Sequence, residues 1–134
     1  MTVVRMDSTY QAAIEGWASP NALKTLLKLP ETSFGNNDNS WVALRKGMPV
    51  GLCSVNGDDN GVAYLDFIVK PSERRTGVGS AMIEKVLNDP VVNSITRMHA
   101  VVTQDNTGAQ KLLEKNGFSR IGFSEDGRLE FERH

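Results

Sequence analysis

The run Val62-Ala63-Tyr64-Leu65-Asp66-Phe67-Ile68-Val69 is followed at once by Lys70-Pro71-Ser72-Glu73-Arg74-Arg75-Thr76-Gly77-Val78-Gly79-Ser80, and this junction constrains the fold more than any other segment. β-Branched and aromatic residues make the first run a buried strand, which Pro71 closes because it has no N–H for a sheet ladder. From Ser80 to Leu87 the apolar spacing is helical. Between strand and helix, Gly77 and Gly79 lack a Cβ and let backbone N–H groups turn toward a ligand. A helix N-terminus adds unsatisfied donors and the positive end of its dipole, and Arg74 and Arg75 add full charges. The segment reads as a cradle for a pyrophosphate.

Two common phosphate loops do not fit. A P-loop requires Lys after its second glycine, where Ser80 stands, and a dinucleotide fingerprint requires a third glycine, where Met82 stands. What remains is Arg-x-x-Gly-x-Gly, met by Arg74, Gly77 and Gly79. Downstream, Asn106-Thr107-Gly108-Ala109-Gln110-Lys111-Leu112-Leu113-Glu114-Lys115-Asn116-Gly117-Phe118 reads as a helix opened by Asn106 and ended by Gly117. With these two segments the chain resembles the GNAT family of N-acetyltransferases, whose second signature runs Asn-x-x-Ala-x-x-Leu-Tyr-x-x-x-Gly-Phe. The departure is Leu113, which replaces the Tyr that commonly protonates the leaving coenzyme A thiolate.

The resemblance implies an α/β, mixed α+β fold with a central, mostly antiparallel sheet splayed between strands 4 and 5, flanked by helices. It implies acetyl-coenzyme A as cosubstrate, with no metal. The backbone of Phe67, Ile68 and Val69 would hold the pantetheine arm as an added strand. The backbone from Arg75 through Thr76, Gly77, Val78, Gly79 and Ser80 would hold the pyrophosphate, with Arg74 beside it and Asn106 near the coenzyme. Asn106 is equally suited to a plain N-cap, and the two roles can coexist.

At 134 residues the chain is expected to be a single domain over residues 1–134. Its net charge of −1 provides no general basic field, so nucleic acid is not an expected partner. One cysteine, Cys53, excludes an internal disulfide and fits a reducing cytoplasm; in the apolar run Val50 to Val55 it reads as a small core residue. No long apolar segment suggests a membrane. Family members often form homodimers, but no interface signature is visible here.

Before the loop, the pattern predicts a strand over Val3 to Met6, a helix to about Trp17 and a second helix from Ser19-Pro20-Asn21 to Leu29. A polar stretch from Glu31 leads to two strands, Trp41 to Leu44 and Val50 to Val55, joined by Lys46-Gly47-Met48-Pro49. After the loop helix come a short apolar piece at Val91, a central strand over Ile95 to Thr103, the Asn106 helix, and a hairpin of Phe118 to Phe123 with Leu129 to Phe131.

Acetyl transfer to an amine needs a base to take a proton, a donor for the oxyanion and a proton for the thiolate. Some relatives place a Glu on either splayed strand, where this chain aligns Ala63 and Val101. The nearest titratable residues are Asp66 and His99. Alternation sets Asp66 opposite Ala63, whereas His99 shares a face with Val101 and is better placed. Both also fit plain structural roles. A backbone N–H at Val69 or a neighbour would serve the oxyanion. Without the signature Tyr, proton donation falls to water, to a hydroxyl such as Ser119, or to no group. Trp17, Phe34 and Trp41 can wall an acceptor pocket or pack in the core, and Glu15, Glu31 and Asp38 can attract an amine or simply be solvated. The reading is an acetyl-coenzyme A-dependent N-acetyltransferase acting by direct transfer on a primary amine of a small molecule, peptide or protein. The alternative is a coenzyme-binding sensor or partner module with little catalysis.

Overall fold

The computed structural model describes residues 1–20, 40–57, 62–74 and 76–134. The expected helix up to Leu29, the polar stretch with Glu31, Phe34 and Asp38, and Arg75 all lie outside the described residues. The strands are β1 (Thr2–Arg5), β2 (Ser40–Arg45), β3 (Met48–Gly57), β4 (Ala63–Val69), β5 (Met98–Val102), β6 (Ser119–Phe123) and β7 (Leu129–Arg133). They form one sheet in the order β1-β2-β3-β4-β5-β7-β6. Every neighbouring pair is antiparallel except β4 and β5. The helices are α1 (Gln11–Glu15), α2 (Val78–Leu87), α3 (Pro90–Asn93) and α4 (Thr107–Lys115), with 3-10 turns at Ser8–Tyr10 and Pro71–Glu73.

Two differences from the sequence pattern have local causes. The segment around Val91 is the short helix α3, entered through Pro90 at its first turn. The central strand begins at Met98, because Ser94 and Ile95 donate their N–H groups to the carbonyls of Pro90 and Val92 and close that turn. Ile95 owes its apolar character to packing against the core from the turn.

Helix ends follow the local chemistry. Asn106 Oδ1 accepts the N–H of Ala109 at 3.1 Å, an N-cap bond. At the other end of α4, Phe118 donates to the Leu113 carbonyl and Gly117 to that of Glu114, with Gly117 at φ +90°. This is the Schellman arrangement, which joins Leu113 and Phe118 in the core.

The sheet has two apolar faces. One packs α2 and α4 onto Cys53, Leu65, Met98 and Phe131. The other carries Met6, Ile14, Val42 and Leu52, with Trp17 and Ile68 against them, under α1. Cys53 is fully buried on the first face, and burial pushes its thiol well above the ordinary range, aided by the charge of Asp66. It is a core residue and not a nucleophile. Trp41 is also core, buried on the α2 face with the Arg5 guanidinium 5.3 Å from its ring centroid.

Candidate functional site

The loop from β4 to α2 is held from below and from the side. Lys70 donates its N–H to the Val50 carbonyl, at 2.8 Å, so the exit of β4 stays on the sheet. Arg45, at the end of β2, reaches Glu73 Oε2 at 2.7 Å and Thr76 Oγ1 at 3.3 Å, and Thr76 donates to the Glu73 carbonyl at 2.5 Å. The two glycines have separate reasons. Gly77 is the N-cap of α2 at φ +85°, a conformation that costs other residues about 1–2 kcal/mol. Gly79 lets the helix approach its neighbours, since a Cβ there would lie 3.0 Å from Leu112 and 3.4 Å from Val69.

The first intrahelical bond of α2 runs from Ala81 N–H to the Gly77 carbonyl, and no side chain caps the helix. The N–H groups of Val78, Gly79 and Ser80 therefore have no partner within the helix. Lys115 of α4 reaches Ser80 Oγ at 3.5 Å and brings a cation to this end, while Arg74 stands exposed beside it. The helical spacing that signals α4 places Lys115 in the last turn, but its approach to Ser80 depends on how the two helices pack.

A gap in the sheet opens beside the loop. β4 and β5 pair only at Ala63↔Met98 and Tyr64↔His99, although β4 stays paired with β3 along its length and β5 with β7. From Leu65 and Ala100 onward the two strands diverge. The direction of the backbone follows from two bonds: Ala63 N–H goes to the Arg97 carbonyl on the β5 side, and Lys70 N–H goes to β3. Alternation then turns the N–H and C=O groups of Leu65, Phe67 and Val69 into the gap and those of Tyr64, Asp66 and Ile68 toward β3. Of the three residues expected to pair with an added strand, Phe67 and Val69 face the gap. Ile68 faces β3, and Leu65 faces the gap; the parity of a strand cannot be read until its partner's register is known.

The face under α1 carries the polar groups. Register puts Tyr64, Asp66, His99 and Val101 on this one face, and Ala63 with Met98 on the other. Alternation within each strand does not say whether Asp66 and His99 share a face; the parallel pairing of β4 with β5 brings them to the same side. Ser40, Ser54 and Asp66 form a row across β2, β3 and β4. Among the described residues, Ser40 Oγ and Trp17 Nε1 are buried with no hydrogen-bond partner.

His99 lies at the vertex of the gap. Its Nε2 is 2.5 Å from Oε2 of Glu132, its cross-strand partner on β7, and its ring meets Tyr64 edge-on at 5.7 Å. Arg97 Nε also reaches Glu132 Oε2, at 3.1 Å, and His134 pairs with Oε1. These partners hold the Glu132 carboxyl down to about 2: the hydrogen bond with His99 contributes most, desolvation opposes it, and the Arg97 bond and the charges of His134 and Arg97 add to it. A lowered carboxyl stabilises the fold above its unfolded value near 4.5, and that contribution is lost as pH falls toward about 2. The thermal midpoint of the native chain should therefore fall more across this interval than that of Glu132→Gln; parallel falls would show that the cluster carries no linked stability.

Leu113, at the position of the usual Tyr, is fully buried in the main core and supplies no proton. Ser119 is exposed on β6. Among the described residues, no group of three or more His, Cys, Asp or Glu is placed to hold a metal ion, and no helix is long and apolar enough to cross a membrane.

The family model of the Acetyltransferase (GNAT) family matches residues 6–118, which includes the loop, both diverging strands and α4. The chain belongs to the GNAT acetyltransferase family. An N-acetylaspartate synthetase of Danio rerio is 31% identical over 91 residues, covering 66% of this chain and 32% of that protein. The chain thus spans about a third of that relative's length. A ribosomal-protein-alanine N-acetyltransferase from Brucella melitensis has the same fold, with TM-score 0.76 and 15% identity over 99% of both chains. A diaminobutyrate acetyltransferase from Paenibacillus lautus, solved with its substrate and coenzyme A, superposes with TM-score 0.73 at 15% identity, covering 98% of this chain and 92% of that one.

Proposed function

We propose that this chain is an acetyl-coenzyme A-dependent N-acetyltransferase that transfers the acetyl group directly to a primary amine in a ternary complex. The observation that carries the reading is the opening of β4 from β5 directly beside an uncapped helix N-terminus. The pyrophosphate would lie on the backbone from Arg75 to Ser80, near Arg74 and Lys115, and the pantetheine arm would run along β4 toward the vertex. Leu65, Phe67 and Val69 offer it backbone groups. The donor for the oxyanion would then be Leu65 or Phe67, because Val69 stands at the loop end of the arm.

The acceptor would approach from the α1 face, where His99 and Asp66 are the titratable candidates for taking the amine proton. Trp17 Nε1 and Ser40 Oγ, unpartnered among the described residues, would there offer hydrogen bonds to an acceptor oxygen. Relatives named for N-acetylaspartate and diaminobutyrate support an amino acid or a related small amine. In the transfer, the amine lone pair forms the C–N bond and the C–S pair leaves on sulfur. The proton lost by nitrogen ends on the thiol, directly or through solvent.

Leu113 favours a second reading, a coenzyme-binding module without turnover. Calorimetric titration with acetyl-coenzyme A, followed by thiol release over a panel of aspartate, diaminobutyrate and peptides with free N-termini, separates the two. Absent binding sinks both, and binding without acceptor-dependent thiol release selects the module. Lys115→Ala should weaken binding several-fold at low salt and less at high salt, as screening of an exposed charge near phosphate requires within a Debye length of about 10 Å at 0.1 M. Unchanged affinity at low salt would remove Lys115 from the cradle.

A further inference from the structure

We propose that Glu132 is a positioning residue for the transfer: it fixes the His99 ring through Nε2–H and leaves Nδ1 as the basic nitrogen at the vertex of the β4/β5 gap. The inference rests on the reading of the gap as the acetyl-coenzyme A site. Glu132 and His99 are cross-strand partners with side chains 13% and 11% exposed, and the 2.5 Å contact joins one carboxylate oxygen to one ring nitrogen. Held down to about 2, the carboxyl is ionised at neutral pH and can only accept, so the hydrogen on the shared contact belongs to Nε2. A neutral imidazole carries one N–H; its second nitrogen, Nδ1, therefore keeps its lone pair. No partner for Nδ1 is found among the described residues.

Tyr64 meets the ring edge-on from β4, at an interplanar angle of 83°, and Arg97 Nε donates to the same Glu132 oxygen that His99 uses. Among the described residues, the other charged groups on this face include Asp66 of β4, Glu130 of β7, and His134, which pairs with Glu132. A carboxylate behind one imidazole nitrogen selects the tautomer and stabilises the cation formed when the other takes a proton. Here that proton comes from the attacking amine: the N–H bond breaks, its pair becomes the amide nitrogen lone pair, and the proton passes from Nδ1 to solvent or to the departing thiolate. Glu132 does not touch the reacting atoms and stays ionised throughout.

The test uses the full chain. Acetyl-coenzyme A binding and wild-type thiol release are measured first; failure of either removes the transferase reading and this inference with it. Glu132→Gln is then expected to lower kcat by at least about tenfold with KM for acetyl-coenzyme A unchanged. Glu132→Asp, which keeps the charge, should recover part of the loss. In ¹⁵N-edited NMR, the His99 ring should show the Nε2–H tautomer in the wild type and a mixture in Glu132→Gln. With binding and turnover intact, an Nδ1–H ring in the wild type, or full kcat in Glu132→Gln, overturns the inference alone. The wild-type tautomer needs no substitution and decides the matter even if a variant fails to fold.

Discussion

Replacing His99 by alanine is expected to lower kcat by about 100- to 10,000-fold, the usual worth of a positioned acid or base, while calorimetric affinity for acetyl-coenzyme A stays at the wild-type level. The split follows from position. The proposed cradle lies beyond Val69, at the end of β4, whereas His99 is opposite Tyr64, where the two strands still touch. Removing the ring also leaves the Glu132 carboxylate with Arg97 and His134, so the charge is not stranded. Asp66→Asn is the control on the same face. If His99→Ala turns over normally and Asp66→Asn does not, the base is Asp66; if His99→Ala loses acetyl-coenzyme A binding, His99 supports the fold of the gap and its effect on rate says nothing about chemistry.

Phe131→Ala should cost about 3–5 kcal/mol, the range for deleting a buried aromatic ring and leaving a cavity. Phe131 is fully buried on β7, opposite Ala100 of β5 and Arg120 of β6, so it serves the three strands beyond the gap. Those strands join β4 through two register pairs and through shared packing under α2 and α4. A loss of this size is a large part of the roughly 5–15 kcal/mol that stabilises a typical domain. Urea denaturation should show a lower midpoint at unchanged slope. A change below about 1 kcal/mol would mean that the site collapses around the missing ring and that the core is less tightly packed than its burial indicates.

Much of the local structure around the proposed coenzyme site was legible because it depends on local chemistry. A β-rich run before Pro71, glycines at 77 and 79, and an Asn and a Gly bracketing an apolar helix each report on a few consecutive residues. The structure gives Gly77 its positive φ, Gly79 its close neighbours, Asn106 its cap and Gly117 its Schellman turn. Ile68 and Asp66 were harder. Their faces depend on how β4 registers with β3 and β5, and a shift of one residue exchanges the faces. The start of β5 at Met98 and not at Ile95 has a related cause: Ile95 packs in the core from a turn as well as it would from a strand.

Glu132 gave no signal at all. It lies in a charged C-terminal hairpin, 33 residues from His99, and nothing in the Leu129-Glu130-Phe131-Glu132 alternation tells which Glu meets a histidine. Lys115 and Arg45 were equally silent, since their contacts with Ser80 and Glu73 span 35 and 28 residues.

By itself the sequence determined the local structure of the proposed coenzyme site: a strand, a glycine turn and a helix N-terminus follow from φ preferences and unsatisfied N–H groups, which are properties of neighbouring residues. The tertiary structure alone decided where β4 parts from β5 and where His99 meets Glu132. Strand pairing is chosen by the burial of whole faces over long separations, and no short segment carries that information.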